Sequence, residues 1–185
     1  MKVVEVRRHS IRGSDDTLSD EGRELARKAG RALEGKYLYC YTSPKERAIQ
    51  TLQEFGYSNF KVDERFGPLP GDKIRPFEDR AQQIVKDQKL TLLEAFFKIR
   101  ELHPILQEKG RELIEAVKQI CRELPEDGRA MVVSHGGAIE PAAILALRKD
   151  FSLNVLGGEL LECEGVGFFL DGDSVKRIDV VRLVK

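Results

Sequence analysis

Two apolar runs in this chain stop abruptly on a histidine, and the rest of the sequence has to be arranged around them. Val3-Val4-Glu5-Val6 leads through Arg7 and Arg8 to His9, and Met131-Val132-Val133-Ser134 leads directly into His135-Gly136-Gly137. Runs this short and this rich in β-branched residues read as buried strands. In an open α/β sheet, ligands bind in the crevice outside the carboxyl ends of the strands. Both histidines and Arg8 therefore fall where chemistry would be placed, and two such histidines with arginines nearby suit a phosphoryl group.

Between and beyond these runs, strand and helix patterns alternate. Ser19 caps an amphipathic helix carrying Leu25, Ala26, Ala29, Ala32 and Leu33, which stops near Gly35. The aromatic run 37–41 is a second strand. Behind it, Ser43 and Glu46 have capping-box spacing with Pro44 at the first helical position, which predicts a helix with Arg47 in its first turn and its end at Gly56. A cation there opposes the helix dipole unless an anion is present. Residues 60–62 form a short strand, 63–71 a loop rich in proline and glycine, 77 to about 102 a mostly helical stretch, and 104–124 a further amphipathic helix. A helix at about 137–147 follows the His135 strand, then short strands at 159–163, 165–170 and 175–184, the last two joined by the turn Asp171-Gly172-Asp173. The expected fold is an α/β three-layer sandwich with a mainly parallel central sheet and an antiparallel edge hairpin at the C-terminus.

A chain of 185 residues suits one domain with its own core. Its 31 basic and 31 acidic residues cancel, so nothing overall attracts nucleic acid or an anionic membrane, and any anion site must be local. Neither a leader peptide nor a bilayer-spanning segment stands out, which points to the cytoplasm. Cys40, Cys121 and Cys163 are odd in number and widely spaced, and they read as buried free thiols. The separated histidines offer no zinc-ligand spacing, so neither a metal nor another cofactor is expected.

Taken together, the motifs resemble the histidine phosphatase superfamily, whose members include phosphoglycerate mutases, fructose bisphosphatases and acid phosphatases. The resemblance covers nearly the whole chain. Arg8-His9-Ser10 stands in the place of that family's Arg-His-Gly motif, and Leu18-Ser19 through Gly22 and Ala26 resembles its first helix. Thr42-Ser43 through Arg47 to Thr51 resembles the segment with a phosphate-binding arginine, and Ser134-His135-Gly136-Gly137 the second histidine motif. Asp63-Glu64-Arg65-Phe66-Gly67 resembles the segment in which mutase-like members carry their proton donor. A phosphoglycerate mutase-like fold is implied. Ser10 departs from the pattern: it is strained if the backbone needs a positive φ, or else its hydroxyl adds a hydrogen bond to phosphate.

The resemblance implies roles that the chemistry supports. His9 would attack phosphorus and become phosphohistidine, while Arg8, Arg47 and a protonated His135 hold the equatorial oxygens. Backbone N–H groups at the helix starts after Ser43 and Gly136 would add to this cradle. Glu64 would protonate the leaving oxygen, with Glu140 as the competing donor. Arg12, Ser10, Gly136 and Glu140 complete the candidate substrate contacts, Arg12 through its likeness to an additional arginine of acid phosphatases. A helical insert at about 66–107, carrying Phe77, Phe96, Phe97, Lys73, Arg75 and Arg80, would cover the site and choose the substrate. The expected activity is metal-independent hydrolysis of a small phosphorylated metabolite or a phosphoprotein side chain such as phosphohistidine. A mutase-like phosphotransferase and a catalytically weak phosphate-binding regulatory module are the alternatives, and the sequence sets no oligomeric state.

Overall fold

A computed structural model describes residues 1–183 of the protein. Among them, β1 (Lys2–Arg8), β2 (Tyr39–Thr42), β3 (Lys61–Val62), β4 (Arg129–Ser134), β5 (Gly165–Asp171) and β6 (Ser174–Val181) form one sheet in the order β3-β2-β4-β1-β5-β6. The first four run parallel to one another, while β5 is antiparallel to β1 and β6 to β5. Arg8 lies opposite Ser134, and Thr42 opposite Val133. His9, Ser43 and His135, each the next residue or the one after, consequently leave the sheet at the same edge.

Alternation along the strands builds two cores. Met131 and Val133 of β4 pack with Ala26 and Ala29 of α1 (Asp20–Arg31) and with Ala48 and Leu52 of α2 (Glu46–Glu54). Ala130 and Val132 join Val4 and Val6 of β1 in the other core, with Leu113 and Val117 of α6 (His103–Glu123) and Ile139 and Ala142 of α7 (Ile139–Leu147). Central strands buried on both faces read as unbroken apolar runs. Glu5 and Arg7 interrupt the run in β1 and are satisfied inside the molecule: Arg7 Nε donates to Glu5 Oε1 at 2.6 Å, and the Tyr37 hydroxyl donates to Glu5 Oε2 at 2.6 Å. Removing one of these partners would strand a buried charge.

The three-layer arrangement, the parallel centre and the C-terminal hairpin around Gly172 match the sequence reading, and Cys40, Cys121 and Cys163 are buried and free. Among the described residues, no helix is long and apolar enough to cross a membrane. The helical stretch from 77 is broken into α4 (Glu78–Gln88) and α5 (Leu92–Lys98), preceded by the single turn α3 (Gly71–Ile74). Lys89 turns left-handed (φ 54), and Thr91 starts α5 with a capping box to Glu94. The Ser43–Glu46 box does not form: α2 begins at Glu46 after an uncapped Lys45, and the Ser43 hydroxyl is shared between the Lys45 N–H at 3.2 Å and His135. No strand occupies 159–163, where the chain instead folds around the Arg8 side chain. The last strand was expected to reach 184, which lies outside the described residues.

Candidate active site

The rings of His9 and His135 stand edge to face, 4.9 Å apart. His9 is fixed by its own backbone N–H, which donates to the Ser134 carbonyl at 2.9 Å, and by Nδ1, 2.7 Å from the Ser10 carbonyl. A carbonyl only accepts, so Nδ1 carries the proton and Nε2 keeps its lone pair. Arg47 Nε donates to that lone pair at 3.1 Å. His135 is held the opposite way. Arg47 Nη2 lies 3.2 Å from its Nδ1, and a guanidinium only donates, so Nε2 bears the proton and donates to Ser43 Oγ at 2.7 Å.

Burial lowers the His9 pKa to about 4, with Arg47 and Arg8 adding to the shift against the Ser10 carbonyl, which raises it. Burial, helped by His9 and Arg47, lowers His135 to about 2. Without a ligand both rings are thereby held neutral at pH 7, whereas the protonated His135 expected from sequence is one facing a bound phosphoryl group.

Arg47 does have the anion its helix-start position demands. Its Nη1 pairs with Asp16, whose other oxygen accepts from the Glu46 N–H at 2.9 Å. That N–H is thereby taken, and so is the N–H of Gly137, which donates to Glu140 Oε2 at 2.8 Å. The expected backbone cradle is thus occupied by the protein's own carboxylates. Arg8 runs under residues 159–162: Nη1 donates to Glu159 Oε1 at 2.9 Å and to the Leu160 carbonyl at 2.5 Å, and Nη2 to Glu162 Oε1 at 3.1 Å. Its Nε is buried without a partner. The two glycines after His135 let neighbouring side chains approach the backbone more closely than a Cβ would allow. A Cβ at Gly136 would stand 3.3 Å from Arg8 Nε, and one at Gly137, where φ is +82°, would stand 2.9 Å from Leu69 Cδ1.

Arg8, His9, Arg47, His135 and Gly136 thereby line one cleft of about 390 Å³, closed by Pro68, Leu69, Leu92, Leu93, Phe96 and Glu159. That volume is within the usual range for small-molecule sites. A larger cavity of about 540 Å³, lined by Leu25, Lys28 and Leu183 among others, includes neither histidine. The remaining candidates lie outside the cleft lining. Ser10 is fully buried, outside the left-handed region, and its hydroxyl donates to the Gly22 carbonyl at 2.7 Å, so it is neither strained nor turned to a phosphate. Glu140 is fully buried, and its Oε1 accepts from the Leu160 N–H at 3.2 Å, so it joins the His135 loop to residue 160; burial raises its pKa. As a donor to a ligand it is corrected to a structural brace. Arg12 and Glu64 are exposed, Glu64 following the carboxyl end of β3.

Lys73 pairs with Glu108 at 3.0 Å and Arg80 with Glu101 at 2.7 Å, and neither these cations nor Arg75 line the cleft. Sequence reading missed Asp16 and Glu159 and took Ser43 for a helix cap. Asp16 had only the unexplained charge of Arg47 to point to it. Among the described residues no group of three or more His, Cys, Asp or Glu side chains could hold a metal ion.

The family model of the histidine phosphatase superfamily (branch 1) matches residues 4–154. No curated protein matches the sequence. Among solved structures, the chain resembles phosphoserine phosphatase from Entamoeba histolytica in complex with 3-phosphoglyceric acid, with TM-score 0.65, 17% identity and 91% of both chains covered. It resembles phosphoglycerate mutase from Bacillus anthracis with TM-score 0.65 and 18% identity, covering 97% of this chain and 92% of that one. A mycobacterial glucosyl-3-phosphoglycerate phosphatase gives TM-score 0.66 and 18% identity, with 98% of each chain covered. At such identities the likeness is one of fold.

Proposed function

The chain belongs to the histidine phosphatase superfamily, and on that footing we propose that it hydrolyses phosphomonoesters without a metal, through a phosphohistidine on His9. The observation that carries this reading is the Arg47 guanidinium, which bridges Nε2 of His9 and Nδ1 of His135. One cation thus rests on both rings at the carboxyl edge of a parallel sheet.

In the first step the phosphoryl group enters the cleft, and Arg47 turns its Nε and Nη2 from the rings to equatorial oxygens. Charge developing there is stabilised by the guanidinium once it has turned. The freed Nε2 lone pair of His9 forms a bond to phosphorus as the bond to the leaving oxygen breaks. Glu64 supplies the proton to that oxygen, from the end of β3 on the same sheet edge. It then takes a proton from the water that attacks phosphorus and breaks the P–N bond, releasing inorganic phosphate. Such a general acid contributes roughly 10² to 10⁴ in rate. His135, with Nε2 tied to Ser43, takes the proton of an incoming phosphomonoester monoanion on Nδ1 once Arg47 has turned away, and the Nδ1–H so formed donates to an equatorial oxygen. In this reading residues 1–185 make one catalytic domain, and the segment from Leu69 to Phe96 covers the substrate.

Hydrolysis of p-nitrophenyl phosphate in the presence of chelator tests the reading: turnover is expected in the wild type and lost in His9→Ala. Turnover that needs added Mg²⁺, or that survives His9→Ala, would contradict it. A second reading, a phosphate-binding module without turnover, has one observation in its favour: carboxylates already face both Arg8 and Arg47. It predicts phosphate binding with p-nitrophenyl phosphate left intact.

A further inference from the structure

The walls of the cleft carry a chemistry different from its floor, and we infer that the site selects phosphomonoesters whose leaving group is apolar and carries no second anion. This rests on the phosphatase reading for the floor and deepens it for the walls. The inference comes from the cleft between the catalytic loops and α5, where Leu69, Leu92, Leu93 and Phe96 face the histidines. Leu92, 41% exposed, adds apolar surface at the open side of this cleft. Leu69 and Leu93 pack directly over the His135 loop, within reach of the space a Cβ on Gly137 would fill.

The polar side of the wall is a single carboxylate, Glu159, and both of its oxygens are occupied: Oε1 by Arg8, and Oε2 by the Thr91 hydroxyl at 2.5 Å. Each oxygen keeps one lone pair, so the several hydroxyls of a sugar would share a single, already engaged side-chain acceptor, and an unpaired buried hydroxyl is unfavourable. In the lining itself a second phosphate or a carboxylate would find no further cation; Arg12 and Lys45, near enough to act on Arg47 and His135, stand outside it. Among the described residues lining the cleft only Arg8 and Arg47 carry positive charge, and both are faced by carboxylates. The cations of the covering segment are turned elsewhere, with Lys73 and Arg80 each paired to a glutamate outside the cleft. Glu159 itself repels a second anion.

The test compares two ligand pairs of matched shape that differ in one charge. Calorimetric binding of phenylphosphonate is compared with that of 4-carboxyphenylphosphonate, and kcat/KM for phenyl phosphate with that for 4-carboxyphenyl phosphate. The uncharged member of each pair is expected to win by about tenfold or more, the scale at which one pocket contact discriminates. Leu92→Arg, at an exposed wall position, is expected to close or reverse that gap. Equal or tighter binding of the carboxylated phosphonate overturns the inference, whether or not the protein turns over, as does a gap that Leu92→Arg leaves unchanged. Preferential binding of phenylphosphonate without hydrolysis of either ester would uphold the apolar wall and overturn the hydrolytic reading. Failure of both phosphonates to bind overturns both.

Discussion

The two strand ends that carry histidine look alike in sequence and are built differently. After β1 the chain continues into Ser10, whose backbone N–H donates to Thr51 and whose hydroxyl donates to Gly22, so His9 is mounted on a rigid, buried support. After β4 it continues into two glycines, and the ring of His135 is instead gripped at both nitrogens, by Ser43 and Arg47. His9 has one nitrogen tied to its own loop and one directed at the Arg47 guanidinium, whereas His135 is 2% exposed and fully engaged. A nucleophile needs a lone pair that can be uncovered, and a positioning group needs a fixed ring. The difference fits the proposed division, with attack by His9 and support from His135.

The largest expected effect breaks the comparison at its first member. His9→Ala should lower kcat by at least about 10⁴-fold, the scale for loss of a nucleophile, in steady-state hydrolysis of phenyl phosphate. His135→Ala should cost less, about 10² to 10³, the scale for one stabilising donor, while phosphoryl transfer to His9 still takes place. Equal losses in the two variants, with no transfer in either, would erase the distinction. Ser43→Ala sharpens it further: the His135 Nε2–H loses its acceptor, and kcat should fall by about tenfold with a stability loss of about 1 kcal/mol. Rescue of kcat by Ser43→Thr, read beside thermal unfolding, separates ring orientation from folding.

The smallest effect is in pH. His9 falls from an ordinary pKa of 6.5 to about 4 on folding, so the unfolded chain binds more protons than the folded one between those values. Stability contributed by the neutral ring is therefore full above about pH 6.5 and is lost progressively as pH falls toward 4. His9→Asn should reduce the slope of stability against pH in that window, leaving the part contributed by His135, as measured by denaturant titration at each pH. The activity of the wild type should likewise persist below pH 6, because the attacking nitrogen stays unprotonated there.

The floor of the site was legible because it is local. A strand ending on Arg8-His9, a second ending on His135-Gly136-Gly137, and an arginine set against a helix dipole are all patterns within a few residues. The walls were not, because their contacts join distant parts of the chain. Asp16 meets Arg47 and Glu159 meets Arg8 across 31 and 151 residues, and no periodicity reports such pairs. Tertiary bonds also overrode good local patterns. Ser43 has capping-box spacing, yet its hydroxyl is shared between the Lys45 N–H and His135, while 159–163 has strand character and bends around a guanidinium instead. Lys73, Arg75 and Arg80 show the opposite error: proximity in sequence to the cover suggested a role at the site, yet Lys73 and Arg80 are paired elsewhere and none of the three lines it.

The most direct test traps the covalent species. Wild-type protein mixed with phenyl phosphate is quenched within the first turnover under alkaline conditions, digested, and mapped by mass spectrometry. A phosphoryl group on the peptide containing His9, stable to base, lost in acid and absent from the His135 peptide, is the predicted result. Turnover with His9 unmodified, or with the phosphoryl group on His135, would contradict the division of labour between the two rings.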